Sequence, residues 1–274
     1  MRIRKALLIY RKDWRELRRN WQIILPMATI PFLFSVLLPT LIMIIPTLTS
    51  APTSPSEDFA SVMANLPSHI RNELAGMTPQ QALVYMMSLY FFAPFFLIIP
   101  LMAASVVAAD SFAGEKERKT VEALLATPLA DSELLLGKIL VSFIPSMAVT
   151  VISFLTYSTV VNVISSVLLG GRILLPNLVW LMLILGLSPS IAIAAIGLTV
   201  IISARVKGVR EAQQISALLL IPIFVLMFGQ LSGAVIVGPV LIAGLIGVFI
   251  LVDAVVFHIG VRLFKREEIL SRLP

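Results

Sequence analysis

The sequence predicts an all-α membrane protein with six transmembrane helices and an amphipathic interfacial helix at its N-terminus. Two observations carry this. First, only 36 of 274 residues are charged, 13%, while apolar residues make up 58% and the mean hydropathy is +0.99. Soluble domains usually carry about 25% charge. Stretches 20–56, 74–109, 139–171, 173–204 and 212–252 hold no Asp, Glu, Lys or Arg and together cover 179 residues. Each exceeds the ~20 apolar residues that a helix needs to cross a bilayer. Second, if spans lie near 22–46, 82–109, 138–165, 178–203, 213–230 and 239–261, the intervening segments on the N-terminal side carry 19 Lys and Arg, and those on the other side only Arg71 and Arg172. A single final span would spoil the asymmetry, to 15 against 6. Positive charge collects on the cytoplasmic side, so both termini are expected there, in a multi-pass protein of the cell membrane. This composition excludes an ordinary cytosolic enzyme, a disordered tail and a fibrous protein.

Each element has its own signal. Within residues 1–21, Ile3, Leu7, Tyr10, Trp14, Leu17 and Trp21 recur at steps of four and three, with Arg4, Lys5, Arg11, Lys12, Arg15, Arg18 and Arg19 between them. An apolar, Trp-bearing stripe opposite a basic face is the pattern of a helix lying on a bilayer. The apolar stretch that follows contains Pro26, Pro31, Pro39 and Pro46 and is too long for a secretory leader. The outer loop begins with a Pro/Ser/Thr-rich run from Thr47 to Ser56 and is expected to form a short helix around Pro67–Leu74. Thr78-Pro79-Gln80-Gln81 then supplies a cap, a first-turn proline and a capping-box glutamine for the second span. Ala212 to Val261 is too long for one crossing. Its breakers, Gly229 to Gly233 and Gly238-Pro239, divide it into two spans with a short, re-entrant hairpin as the expected joint.

The segment 110–137 between the second and third spans concentrates what charge the chain has. Seven of the eight residues from Glu115 to Glu122 are charged or hydroxylated. Glu115 precedes Lys119 by four, and Arg118 precedes Glu122 by four, spacings that support a helix by ~0.2–0.5 kcal/mol per pair. Val121, Leu124 and Leu125 form an apolar patch, Pro128 ends the helix, and a new one starts near Asp131-Ser132-Glu133. The expected product is a short, stiff amphipathic helix under the membrane, its charged face open to a partner; a solvated connector would read the same way.

Gly114-Glu115-Lys116-Glu117-Arg118-Lys119-Thr120-Val121-Glu122-Ala123-Leu124-Leu125-Ala126-Thr127-Pro128, followed nine residues later by Gly137-Lys138, resembles the hallmark of type-2 ATP-binding-cassette (ABC) exporter permeases. The family pattern runs G-E-[KR]-E-x-x-T-[LV]-E-x-L-L-x-[ST]-P with a spaced G-K, and in general form the chain is closest to the sodium- and drug-extrusion permeases. One position departs: the family's usual Gly before the Thr is Lys119, a replacement expected to favour helix. The resemblance implies a transmembrane subunit that dimerises (with a second identical copy, or a related one) and binds two copies of a separate ABC ATPase. Gly114, Glu115, Glu117, Arg118, Thr120, Glu122, Leu124, Leu125 and Pro128 would form the coupling helix on that ATPase. ATP would be bound by the partner: no G-x-x-x-x-G-K-[ST] phosphate loop occurs, and no cofactor is expected on this chain.

Within the spans, Asp253 is the one formally charged residue well inside, about 14 Å from the cytoplasmic end at 1.5 Å per residue. It is the candidate pathway contact, with a structural hydrogen bond as the alternative. Catalysis has little support, with two histidines, no H-E-x-x-H and no intramembrane cluster of acids. No metal site is expected, and the net charge of +6 points to anionic lipid rather than nucleic acid. A six-span membrane enzyme or an accessory anchor is the alternative to a permease.

Overall fold

A computed structural model describes residues 3–48, 68–120, 130–206, 208–232, 235 and 237–263. Among these, six helices are long and apolar enough to cross a membrane. The N-terminal helix α1 (Ile3–Leu17) is followed by α2 (21–48), a short helix α3 (Ser68–Glu73), α4 (Pro79–Glu117), α5 (Asp131–Leu168), α6 (Leu178–Ser203), α7 (209–231) and α8 (Pro239–Leu263). The Pro/Ser/Thr-rich run beyond Leu48, most of the hairpin near 233–236 and the basic C-terminal residues fall outside the described residues.

α4 is the axis of the bundle. In its most apolar stretch 83% of residues are buried, against 17% for α2 and α7 and 11% for α8. It starts as its sequence signals: Thr78 accepts from the Gln81 N–H, and the Gln81 side chain accepts from the Thr78 N–H, a complete capping box with Pro79 behind it. α5 and α6 close around it through aromatic rings. Phe96 and Trp180 meet edge to face at 4.9 Å, and Trp180 stacks on Tyr157 at the same distance.

Three spans carry a π-helical turn just before a proline. These are Leu33–Leu37 before Pro39, Met87–Phe91 before Pro94, and Leu183–Leu187 before Pro189. Proline has no N–H to give and its ring presses on the carbonyl four residues back; a wider turn relieves the clash. The carbonyls freed in α4 find donors on its neighbours. Tyr157 Oη donates to Ser88 O at 2.6 Å and Trp180 Nε1 to Leu89 O at 2.9 Å. In lipid such groups must be satisfied from within the protein.

The N-terminal stripe is rotated from its sequence expectation. Ala6, Ile9, Asp13 and Leu17 are the buried positions, Tyr10 and Trp14 lie half-buried at the edge, and Leu7 is exposed. The reason is a second packing partner: α1 rests on α5, so one face meets protein and the adjacent Leu7–Tyr10–Trp14 edge is left beside it. Asn20 then caps the start of α2, accepting from the Gln22 N–H.

Small residues allow α6 and α8 to approach. A Cβ on Gly186 would lie 2.7 Å from Ile246, and one on Gly197 would collide with Val256. Close backbone approach through glycine is the usual way membrane helices pack.

Candidate functional site

The segment after the second span is no separate helix on a loop. α4 continues through a π turn, Asp110–Gly114, into Glu115–Glu117. Ser111 to Glu115 are buried, and Glu117, Arg118, Lys119 and Thr120 are exposed. Glu115, expected on an open charged face, is 5% exposed and points inward.

Two lysines neutralise it. Lys138 of α5, 1% exposed, donates from Nζ to Glu115 Oε2 at 2.5 Å and to the Ser111 carbonyl. The Phe112 ring lies 4.9 Å from the same ammonium, a cation–π contact. Lys12 of α1 stands 3.3 Å from Glu115 Oε1. Buried charges persist only when paired and hydrogen-bonded, and here each carboxylate oxygen has its own ammonium. Asp13 joins the cluster at 7% exposure, accepting from Ser111 Oγ at 3.4 Å and lying 3.3 Å from Lys12. Burial raises its carboxyl above the ordinary range, against the opposing pull of Lys138 and Lys12. Burial pulls the Lys12 ammonium down, but Asp13, Glu115 and Glu16 together outweigh it and hold the group above its usual value.

Gly137, beside Lys138, has a distinct task. A Cβ there would lie 2.8 Å from the Ala6 carbonyl and 2.8 Å from Ile9 Cβ. The Gly-Lys pair therefore seats α1 on α5 with one residue and grips Glu115 with the next.

The following residues tie the same stem to other helices. Lys116 Nζ donates to the Val206 carbonyl at 3.0 Å, beyond the end of α6. Glu117 Oε2 accepts the Val209 N–H at 3.0 Å, putting a carboxylate at the N-terminus of α7, where orphan donors and the helix dipole favour it. Three consecutive residues thus bind four elements: α1 and α5 through Glu115, the end of α6 through Lys116, and the start of α7 through Glu117. Arg118 folds back to Asp110 at 3.2 Å across Gly114, where a Cβ would stand 3.1 Å from both side chains.

The helix then ends abruptly, where the charge spacing predicts that it continues. Lys119 has φ 56°, the Lys119 N–H bonds Lys116 O at 3.2 Å, and the Thr120 N–H bonds Glu115 O at 3.0 Å. This is a Schellman C-cap with Lys119 at its left-handed position. The expectation that lysine here favours helix is corrected: the position demands the backbone freedom of glycine, and lysine occupies it at a cost. Glu115 is already committed to Lys138, so the local Glu115–Lys119 pair does not form. Lys119→Gly should therefore raise stability by about 1 kcal/mol, read as a higher Tm of the purified protein.

Glu122, Leu124, Leu125 and Pro128 lie outside the described residues. Asp253 lies apart, on α8. It is half-buried on the stripe Ile246–Phe249–Asp253–Val256 that α8 turns to α6, and its Oδ1 has no hydrogen-bond partner. Lys12, Asp13 and Lys138 escaped sequence reasoning as site residues. The available signal was Lys138 itself, a lysine at the threshold of a span with its Gly-Lys spacing after an acidic run.

No curated protein matches the chain. The profile of the ABC-2 family transporter proteins matches residues 7–244, from α1 into α8. With six apolar helices and a match over most of its length, the chain belongs to the ABC-2 family of transporter proteins, which are membrane components of ABC transporters.

Proposed function

We propose that this chain is the permease subunit of an ABC exporter, driven by a separate ATPase that docks on the turn at Arg118–Thr120 and the residues up to Pro128. The observation that carries the proposal is the stem Glu115–Glu117, whose side chains reach α1, α5, the end of α6 and the start of α7. A push on the exposed turn is thereby delivered to five helices at once, α4 included. The charge asymmetry supports cytoplasmic placement of this end and of both termini, with the basic face of α1 against anionic lipid. The complex contains two permease copies and two ATPases, and α2, α7 and α8 offer poorly buried faces to the second copy and to lipid. Our reading within the family is a permease of the sodium- and drug-extrusion kind, supported by the form of the motif, with Asp253 as the pathway contact.

The test is co-purification. Lys119→Glu reverses an exposed charge on the turn without touching the Arg118–Asp110 pair, and should reduce recovery of the ATPase at least tenfold, with the Tm of the permease nearly unchanged. Undiminished recovery would move the docking surface elsewhere. A wild-type chain that captures no ATPase would instead favour the membrane enzyme or anchor.

A further inference from the structure

On the side of the bundle opposite the Glu115 cluster, one carboxylate holds two tyrosines. Glu73, the last residue of α3, accepts from Tyr85 Oη at 3.0 Å and from Tyr90 Oη at 3.4 Å, both on Oε2. Ile70 and Leu74 anchor α3 beneath this bond, buried with Ala82 against Met77 and Met86.

The two tyrosines are five residues apart. In an α-helix that spacing turns the chain through about 140° beyond a full circle, too far for both rings to meet one oxygen. They do meet, because the π turn Met87–Phe91 lies between and on them. Its i→i+5 bonding takes up one extra residue and brings positions five apart towards one face. The inner half of α4 is fixed independently, by Phe92 and Phe96 against Tyr157, while Tyr157 and Trp180 supply the donors for the Ser88 and Leu89 carbonyls of the turn itself. The outer end, Pro79–Met86, is held by the Gln81 side chain, which donates to Leu168 O at 3.1 Å on α5, and by Glu73.

We propose that Glu73 is a latch that, added to Pro94 and to the donors Tyr157 and Trp180, tips α4 into its π register, with Tyr85 and Tyr90 as its two catches. Opening the latch lets the turn rewind to α, and the segment Pro79–Met86 rotates by about 100°, one residue's worth, relative to the fixed inner half. Gln81 then leaves Leu168, and a different face of the outer segment turns towards the bundle. The inference requires nothing about the ATPase.

The chain has no cysteine, so a pair can be introduced cleanly. In the full-length permease, Gln81→Cys with Leu168→Cys, which removes the Gln81 hold and leaves Glu73 to keep the outer end in place, should be joined rapidly by a short bifunctional methanethiosulfonate. Adding Glu73→Ala, Tyr85→Phe or Tyr90→Phe should slow the cross-link at least fivefold, and combining Tyr85→Phe with Glu73→Ala should slow it no further, since both open one latch. Deleting Met87 removes the extra residue and sets the slow reference rate. If Glu73 only docks α3, the substitutions leave the rate within twofold of the parent, and the latch is excluded. Failure of the parent pair to cross-link would equally overturn it. Should Glu73→Ala not fold, the two phenylalanine variants, each lacking one hydroxyl, decide the question.

Discussion

Lys138→Met should destabilise the protein by about 3–5 kcal/mol, because it leaves Glu115 buried with only the partly exposed Lys12 for company. The isolated Glu115→Leu change should be as severe, stranding Lys138 against the Ser111 carbonyl and the Phe112 face. The diagnostic result is the double variant. Replacing both charges with Leu and Met removes the desolvation cost together with the attraction, so most of the loss should return. Thermal denaturation of the purified protein reads all three. If the double variant is as unstable as the sum of the singles, the pair is not the isolated buried unit that its geometry indicates. Recovered stability without recovered transport would give Glu115 a mechanical role beyond its packing.

Gly137→Val is the second severe change. Its Cβ would meet the Ala6 carbonyl and Ile9 Cβ at 2.8 Å, and the carbonyl belongs to backbone that cannot swing aside as a side chain can. Overpacking of this kind costs about 1–3 kcal/mol. Here α1 can yield by lifting from α5, taking Lys12 and Asp13 away from Glu115. The expected signature is local: faster amide exchange across Ile3–Leu17, with α6 and α8 unchanged. Uniform exchange rates in the variant would show that α1 is held by something other than this approach.

Much of the architecture was legible because the bilayer imposes it. Charge-free length gave the crossings, Thr78–Gln81 gave the start of α4, and the Gly-Pro break gave the division between α7 and α8. The site was legible only as a string of residue types. Spacing suggested that Glu115 pairs with Lys119 one turn on, a bond worth a few tenths of a kcal/mol. The fold supplies Lys138 instead, twenty-three residues away and out of water, where losing either partner strands a buried charge. Local periodicity cannot see such a partner. The rotated face of α1 was missed for a related reason: the periodicity of a helix marks its apolar side without saying whether lipid or protein will cover it. At Lys119 propensity and position disagree: a good helix former stands where the backbone has already turned left-handed.

The burial of α4 also bears on how the chain is made. This helix, second of the six to leave the ribosome, ends innermost, yet the donors for its Ser88 and Leu89 carbonyls, Tyr157 and Trp180, belong to helices synthesised afterwards. Until those arrive, α4 holds an open turn that hydrocarbon cannot solvate. The nascent span must therefore wait in the translocon, or wind as plain α-helix and acquire its wider turn only when α5 and α6 close upon it.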